Sequence, residues 1–172
     1  MILSDAGVRA VDHLGLTVPD LDEALDFFQR VFGATVLVRH AAYQPAPERN
    51  VANFARHPQT AVRGIALISI AGSTIELLSY DAPDMRTGAP RTSDQGGHHL
   101  AFYVDHLDTA ITRLRDAGIE VLGEPIPFAG DEAGFGARFV YLRAPWGLFL
   151  ELVTYPQGKA YMKSNPEARP AT

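Results

Sequence analysis

The sequence contains no cysteine. Disulfides and thiolate metal ligation are therefore excluded, and any transition-metal site must be built from His, Asp or Glu. Positive charge is also scarce. Fifteen Lys and Arg face 20 Asp and Glu, a formal net charge of -5. A nucleic-acid backbone is thus not the expected partner, because phosphate binding needs clustered Lys and Arg. Long hydrophobic runs are missing as well. The longest, 65–71, is far too short to span a bilayer, and residues 1–10 show no basic region followed by an apolar stretch. The expectation is a cytoplasmic protein with no membrane partner. What is present, 47% hydrophobic and 20% charged residues over 172 positions, suits one packed domain or two small modules sharing a core.

The chain repeats itself. Laying residue 13 over residue 99 aligns His13-Leu14-Gly15-Leu16-Thr17-Val18 with His99-Leu100-Ala101-Phe102-Tyr103-Val104. Leu21, Asp22 and Ala24 then fall over Leu107, Asp108 and Ala110. A second correspondence lies further on, where Ile75-Glu76-Leu77-Leu78 resembles Leu150-Glu151-Leu152-Val153. The first module is longer by an excursion over 40–62, marked by Pro45, Pro47 and Pro58.

Each module opens with an alternating strand, expected at 8–18 and at 97–104. A helix follows. Asp20 caps the first, Leu21, Ala24, Leu25, Phe28 and Phe32 form its apolar stripe, and Gly33 ends it. Asp105 is expected to cap the second, with Leu107, Ala110, Ile111 and Leu114 as its stripe and Gly118 at its end. Three strands complete each module, at 35–42, 63–71 and 73–79, and at 119–123, 137–143 and 148–154. The predicted fold class is α+β, two βαβββ modules forming a curled mixed sheet around a metal cleft. The expected divisions are a first module at 8–80, a linker at 81–96, a second module at 97–155 and an irregular tail at 156–172.

Side chains on a strand alternate faces. His13 therefore shares a face with Gly15 and Thr17, and His99 with Ala101 and Tyr103. Glu76 and Glu151 each lie between apolar neighbours, so each carboxylate points away from a helix-packing pair. Burying a lone carboxylate costs several kcal/mol unless it finds a partner. A His-then-Glu pattern at equivalent positions of two modules supplies two imidazoles and two carboxylates. His13, Glu76, His99 and Glu151 are the predicted ligands of one divalent cation, Zn, Ni, Co, Mn or Fe. Register selects His99 over His98, which should face the other way, for packing or an outer hydrogen bond. His40, His57 and His106 are expected at the surface.

These residues resemble the vicinal oxygen chelate superfamily, which includes glyoxalase I, methylmalonyl-CoA epimerase, extradiol dioxygenases and fosfomycin- and bleomycin-resistance proteins. The stretches that carry the resemblance are Asp12 to Val18, Ile75 to Leu78, Gly97 to Phe102 and Phe149 to Leu152, and it covers about residues 8–155. It implies paired βαβββ modules around a metal, with the same four ligands. Glutamate at position 76 is similar to glyoxalase I, whereas Gly97-His98-His99 is similar to methylmalonyl-CoA epimerases. Strand 63–71 lacks the additional acid that some epimerases carry there.

The activity so implied is a lyase or isomerase that moves a proton α to a carbonyl of a small thioester or thiohemiacetal substrate. The metal would hold the enediolate, with Glu151 and Glu76 as catalytic carboxylates on opposite sides. Loops 40–62 and 124–136 would set selectivity. Arg39, Arg49, Arg56 and Arg63 are candidates for an anionic substrate end, and Tyr161 and Lys163 for capping the site. The rival readings are an Fe(II) extradiol-type dioxygenase using His13, His99 and Glu151 alone, and a non-catalytic antibiotic-binding resistance protein. A homodimer is expected by analogy with the family.

Overall fold

The computed structural model describes residues 7–165. The chain divides into two compact units between Thr87 and Gly88. The first holds β1 (Leu14–Thr17), α1 (Leu21–Phe32), β2 (Thr35–His40), α2 (Pro47–Phe54), β3 (Ala61–Ile70) and β4 (Ser73–Asp81). The second holds β5 (His99–Tyr103), α3 (Leu107–Asp116), β6 (Glu120–Pro127), β7 (Arg138–Arg143) and β8 (Phe149–Thr154). Each unit has one four-stranded sheet, ordered β1-β4-β3-β2 in the first and β5-β8-β7-β6 in the second. The first strand runs parallel to the last, and the remaining pairs are antiparallel. This is βαβββ twice, with the additional α2 inside the first copy.

Helix α1 forms where its signals lie. The Asp20 carboxylate accepts from the Glu23 N–H at 2.9 Å, occupying one of the donors a helix start leaves free. Gly33 takes the left-handed conformation at φ 67, and its N–H and that of Ala34 close the last turn on Gln29 and Phe28 carbonyls. Leu21, Ala24, Leu25 and Phe28 are buried as a stripe, joined by Phe27. They pack on β3 and β4, whose inward residues Ala66, Ile68, Ile75 and Leu77 are buried. In the second unit Leu107, Ile111 and Leu114 of α3 are buried, as are Val140, Leu142, Leu150 and Leu152 of the sheet.

Several expectations are corrected. β1 spans only four residues, paired with Ile75 to Leu78 of β4. In that parallel register the start of β4, Ser73, falls opposite Asp12, so residues 8–11 of the expected strand have no partner in β4. Asp105 does not cap α3. His106 occupies that position without a side-chain hydrogen bond, and the acid of the first turn is Asp108. The excursion contains α2, whose Pro47 sits in the first turn, where a missing N–H costs nothing. β6 runs on to Pro127 despite Pro125, since it is the sheet's edge and its outer N–H groups need no partner.

The tail is ordered where an irregular segment is expected. A 3-10 turn at Ala160–Lys163 buries Met162, and the Ala160 N–H donates to the Ala133 carbonyl at 2.9 Å. Gly134 has to be glycine here, because a Cβ would collide with the Gly158 carbonyl. Residues 166–172 of the expected tail lie outside the described residues. No helix among the described residues is long and apolar enough to cross a membrane.

Phe28 is fully buried between α1 and the first sheet. Truncation of Phe28 to alanine is expected to destabilise the chain by about 3–5 kcal/mol, read as a lower urea midpoint with an unchanged slope.

Candidate metal centre

The parallel pairing of first and last strand builds each half-site. In the first unit Gly15 lies opposite Glu76. His13 stands two residues earlier, just ahead of β1, and its Nε2 comes within 3.6 Å of Glu76 Oε2. In the second unit Ala101 lies opposite Glu151, and His99, the first residue of β5, brings its Nε2 within 3.1 Å of Glu151 Oε2. The two pairs are the same residue types at the same register of two sheets. Among the described residues no group of three or more His, Asp or Glu side chains gathers as a metal site, so each unit by itself offers two donors.

The donor geometry fits a metal. Two ligands about 2.1 Å from one ion, set at tetrahedral or octahedral angles, stand about 3.0–3.4 Å apart. The two observed separations, 3.1 and 3.6 Å, are close to that spacing. An imidazole nitrogen with a carboxylate oxygen is also the donor chemistry that suits Zn, Ni, Co, Mn or Fe(II).

The surroundings of the two pairs differ. His13 Nδ1 meets Asp12 Oδ2 at 2.7 Å, which turns Nε2 toward Glu76 and holds the ring above its ordinary pKa. Periodicity passes over the Asp12 contact, since it depends on side-chain direction. His99 has instead the edge-on ring of Tyr141, 5.3 Å away at 87°. Glu151 is nearly enclosed, with 9% of its side chain exposed against 26% for Glu76. Burial pushes the Glu151 carboxyl above the ordinary carboxylate value. The nearby His99 and Lys159 pull it back, and Glu132 adds to the rise. Lys159, in the tail, is buried and reaches Glu132 at 2.7 Å. Sequence reading misses this pair and names Tyr161 and Lys163 in its stead.

His98 is exposed rather than packed, and its Nδ1 lies 3.1 Å from the carbonyl oxygen of Gly96, which is none of the four predicted ligands. Of the four arginines, Arg39 pairs with Asp22 at 2.7 Å and Arg63 with Asp81 at 3.1 Å. Arg56 donates to the Tyr80 hydroxyl at 2.6 Å. Arg49 lies 6.0 Å from the Phe54 ring centroid. A cavity of about 260 Å³ in the second unit, lined by Leu107, Asp108, Arg138 and Thr154 among others, is not lined by Glu151 or His99.

Two βαβββ units, each setting a His at or just ahead of its first strand against a last-strand Glu, define the fold class. The family described as the Glyoxalase/Bleomycin resistance protein/Dioxygenase superfamily matches residues 12–141, and the chain belongs to it. A 2-epi-5-epi-valiolone epimerase of Actinomyces sp. is 40% identical over 162 residues, covering 90% of this chain and 84% of that protein. The mitochondrial methylmalonyl-CoA epimerase of Mus musculus is 27% identical over 151 residues, covering 83% of this chain and 71% of that protein. A glyoxalase family protein from Bacillus cereus has the same fold, with a TM-score of 0.64 at 22% identity over 86% of this chain and 97% of that one.

The Asp12 contact has a readable consequence. A histidine held above its ordinary value of 6.5 in the folded chain favours folding below that pH, and the contribution is lost as pH rises through the folded value. In metal-free protein followed by NMR, His13 is expected to titrate above 6.5, and Asp12→Ala is expected to bring it back toward that value.

Proposed function

We propose that the chain is a divalent-metal-dependent epimerase that takes a proton from one face of a carbon beside a carbonyl and delivers another to the opposite face. The observation that carries this reading is the duplicated His–Glu pair at 3.6 and 3.1 Å, in equivalent register of the two sheets. The epimerases named above, among its relatives, give the direction of the chemistry. A hydroxylated ketone such as 2-epi-5-epi-valiolone, or an acyl thioester such as methylmalonyl-CoA, is the corresponding substrate class. Membership of the superfamily alone is compatible with other reactions, because one scaffold hosts many.

His13, Glu76, His99 and Glu151 would hold the cation, which when bound supplies Lewis acidity that polarises a carbonyl and acidifies the neighbouring C–H. The remaining work falls to the chain's own groups. Glu151 removes the proton. An ordinary carboxylate is a weak base near neutral pH, and burial strengthens this one by disfavouring its charged form. Glu76, the more exposed of the two, delivers a proton to the other face. The apolar neighbours of both glutamates, Ile75, Leu77, Leu150 and Leu152, are buried toward the helices and keep each carboxylate on its own side of the sheet. Four donors need one first unit and one second unit, from one chain or from two; the homodimer we propose rests on analogy with the family, not on the donor count.

Elemental analysis of protein purified without chelator should find about one divalent ion per chain, and Glu76→Ala/Glu151→Ala should find none. Solvent-deuterium exchange at the α carbon of the two substrates named above should fall about 10²–10⁴-fold in Glu151→Gln. Full metal retention by the double variant, or undiminished exchange in Glu151→Gln, overturns this reading.

A further inference from the structure

The repeat extends past its glutamates. Tyr80 lies four residues beyond Glu76, on the same face of β4, and Tyr155 lies four residues beyond Glu151. In each unit a cation stands at the ring of that tyrosine. The Arg56 guanidinium is 4.3 Å from the Tyr80 ring centroid, and the Lys159 ammonium is 5.2 Å from that of Tyr155. The two cations come from unrelated parts of the chain, Arg56 from the loop after α2 and Lys159 from the tail after β8.

Their charges are not in the same condition. Lys159 has Glu132 at 2.7 Å and the Phe128 ring at 3.6 Å, with 9% of its side chain exposed. It is already neutralised. No carboxylate among the described residues lies within the 4.0 Å of an ion pair to Arg56, whereas Arg39 and Arg63 each have one. Arg56 is held by other means. Its guanidinium also lies 4.5 Å from the Phe54 ring, and one of its nitrogens donates to the Tyr80 hydroxyl at 2.6 Å. Arg49 adds a second positive charge 6.0 Å from the same Phe54 ring.

The loop that carries Arg56 is fixed in advance. Asn50, fully buried, donates to the Pro58 and Thr60 carbonyls at 3.1 and 2.9 Å. The Arg56 N–H in turn donates to the Asn50 carbonyl at 3.0 Å. Ala55 accepts a left-handed conformation, φ 49, to turn the chain there. A non-glycine residue in that region costs about 1 kcal/mol or more, so the surrounding bonds hold it in place.

A planar guanidinium carries five N–H donors and matches an oxyanion. One nitrogen of Arg56 donates to Tyr80, and no carboxylate among the described residues pairs with the guanidinium. Tyr80 stays a neutral phenol, since burial, the largest influence, raises its pKa. Accepting from Arg56 leaves its own hydrogen to donate. Two donors thus lie side by side, about 13 Å along the strand from Glu76. We propose that Arg56 and Tyr80 form an oxyanion subsite on the Glu76 face, which selects substrates bearing a carboxylate or phosphate. Lys159, paired with Glu132, is its neutralised counterpart, so the second unit offers no equivalent anion site. This inference rests on the assignment of Glu76 to the reaction site.

Two measurements test it. In the first, the purified full-length chain is titrated with inorganic phosphate and, separately, with malonate, following the Arg56 Nε–H NMR signal, with bulk affinity taken by calorimetry. Saturable binding is expected, weakened about tenfold or more in Arg56→Ala and less in Arg56→Lys and Tyr80→Phe. The tighter of the two probes tells phosphate-bearing from carboxylate-bearing substrates. Equal affinity in wild type and Arg56→Ala overturns the subsite.

In the second, α-proton exchange is compared for methylmalonyl-CoA, which is anionic, and 2-epi-5-epi-valiolone, which is neutral. Arg56→Ala should raise KM about tenfold or more for the anionic substrate with kcat nearly unchanged, and leave the neutral one unaffected. An equal loss on both substrates, unrelieved in Arg56→Lys, marks a structural role and overturns the proposal. Exchange with neither substrate in wild type counts against the epimerase reading alone, because the anion titration needs no turnover.

Discussion

The parallel contact between the first and last strands of each unit governs where every donor stands. An antiparallel neighbour can be reached by a short turn, but a parallel one needs a long crossover. In both units that crossover is the helix and the two intervening strands. Its result is a fixed register, Gly15 against Glu76 and Ala101 against Glu151. The histidine two residues upstream then lies on the carboxylate's face. A slip of one residue would turn His13 toward the helix and Leu14 toward Glu76, losing the pair and an apolar contact together. Packing and chemistry thus enforce the same register. Leu16, Leu77, Leu150 and Leu152 are buried on the side opposite the donors, so the core itself holds the half-sites in place.

This constraint explains what could be read from the residues alone. Strand alternation and the His–Glu repeat are local patterns, and both survive in the fold. The misjudged features depend on contacts far along the chain. Pro47 reads as a breaker yet opens α2, because only its position in the turn matters. Pro125 and Pro127 speak against a strand until β6 is known to be an edge. The tail looks irregular because its anchors, Ala133 and Gly134, lie in another segment. Arg56 could not be separated from Arg39 and Arg63 by sequence. What distinguishes it is a partner 24 residues away, Tyr80, in place of a nearby carboxylate.

Duplication provides two equal donor pairs, and the rest of each unit makes them unequal. His13 has an acid behind it and His99 an aromatic edge. Glu151 sits deep, with a lysine–glutamate pair within electrostatic reach, while Glu76 keeps about a quarter of its side chain exposed.

Inequality of this kind matters for the proposed reaction, which inverts a carbon. One carboxylate has to take a proton while the other gives one, and two carboxylates in identical settings would have no reason to divide the roles. Environments that treat two like groups differently are the usual basis of such assignments. Burial acts on Glu151 and disfavours its charge, which makes it the more avid acceptor when ionised. Solvent reaches Glu76, which in the proposed reaction would let it exchange protons with water between turnovers. The cations follow the same division, neutralised beside Tyr155 and unneutralised beside Tyr80. A substrate with one anionic end would find its match at Arg56 rather than at Lys159.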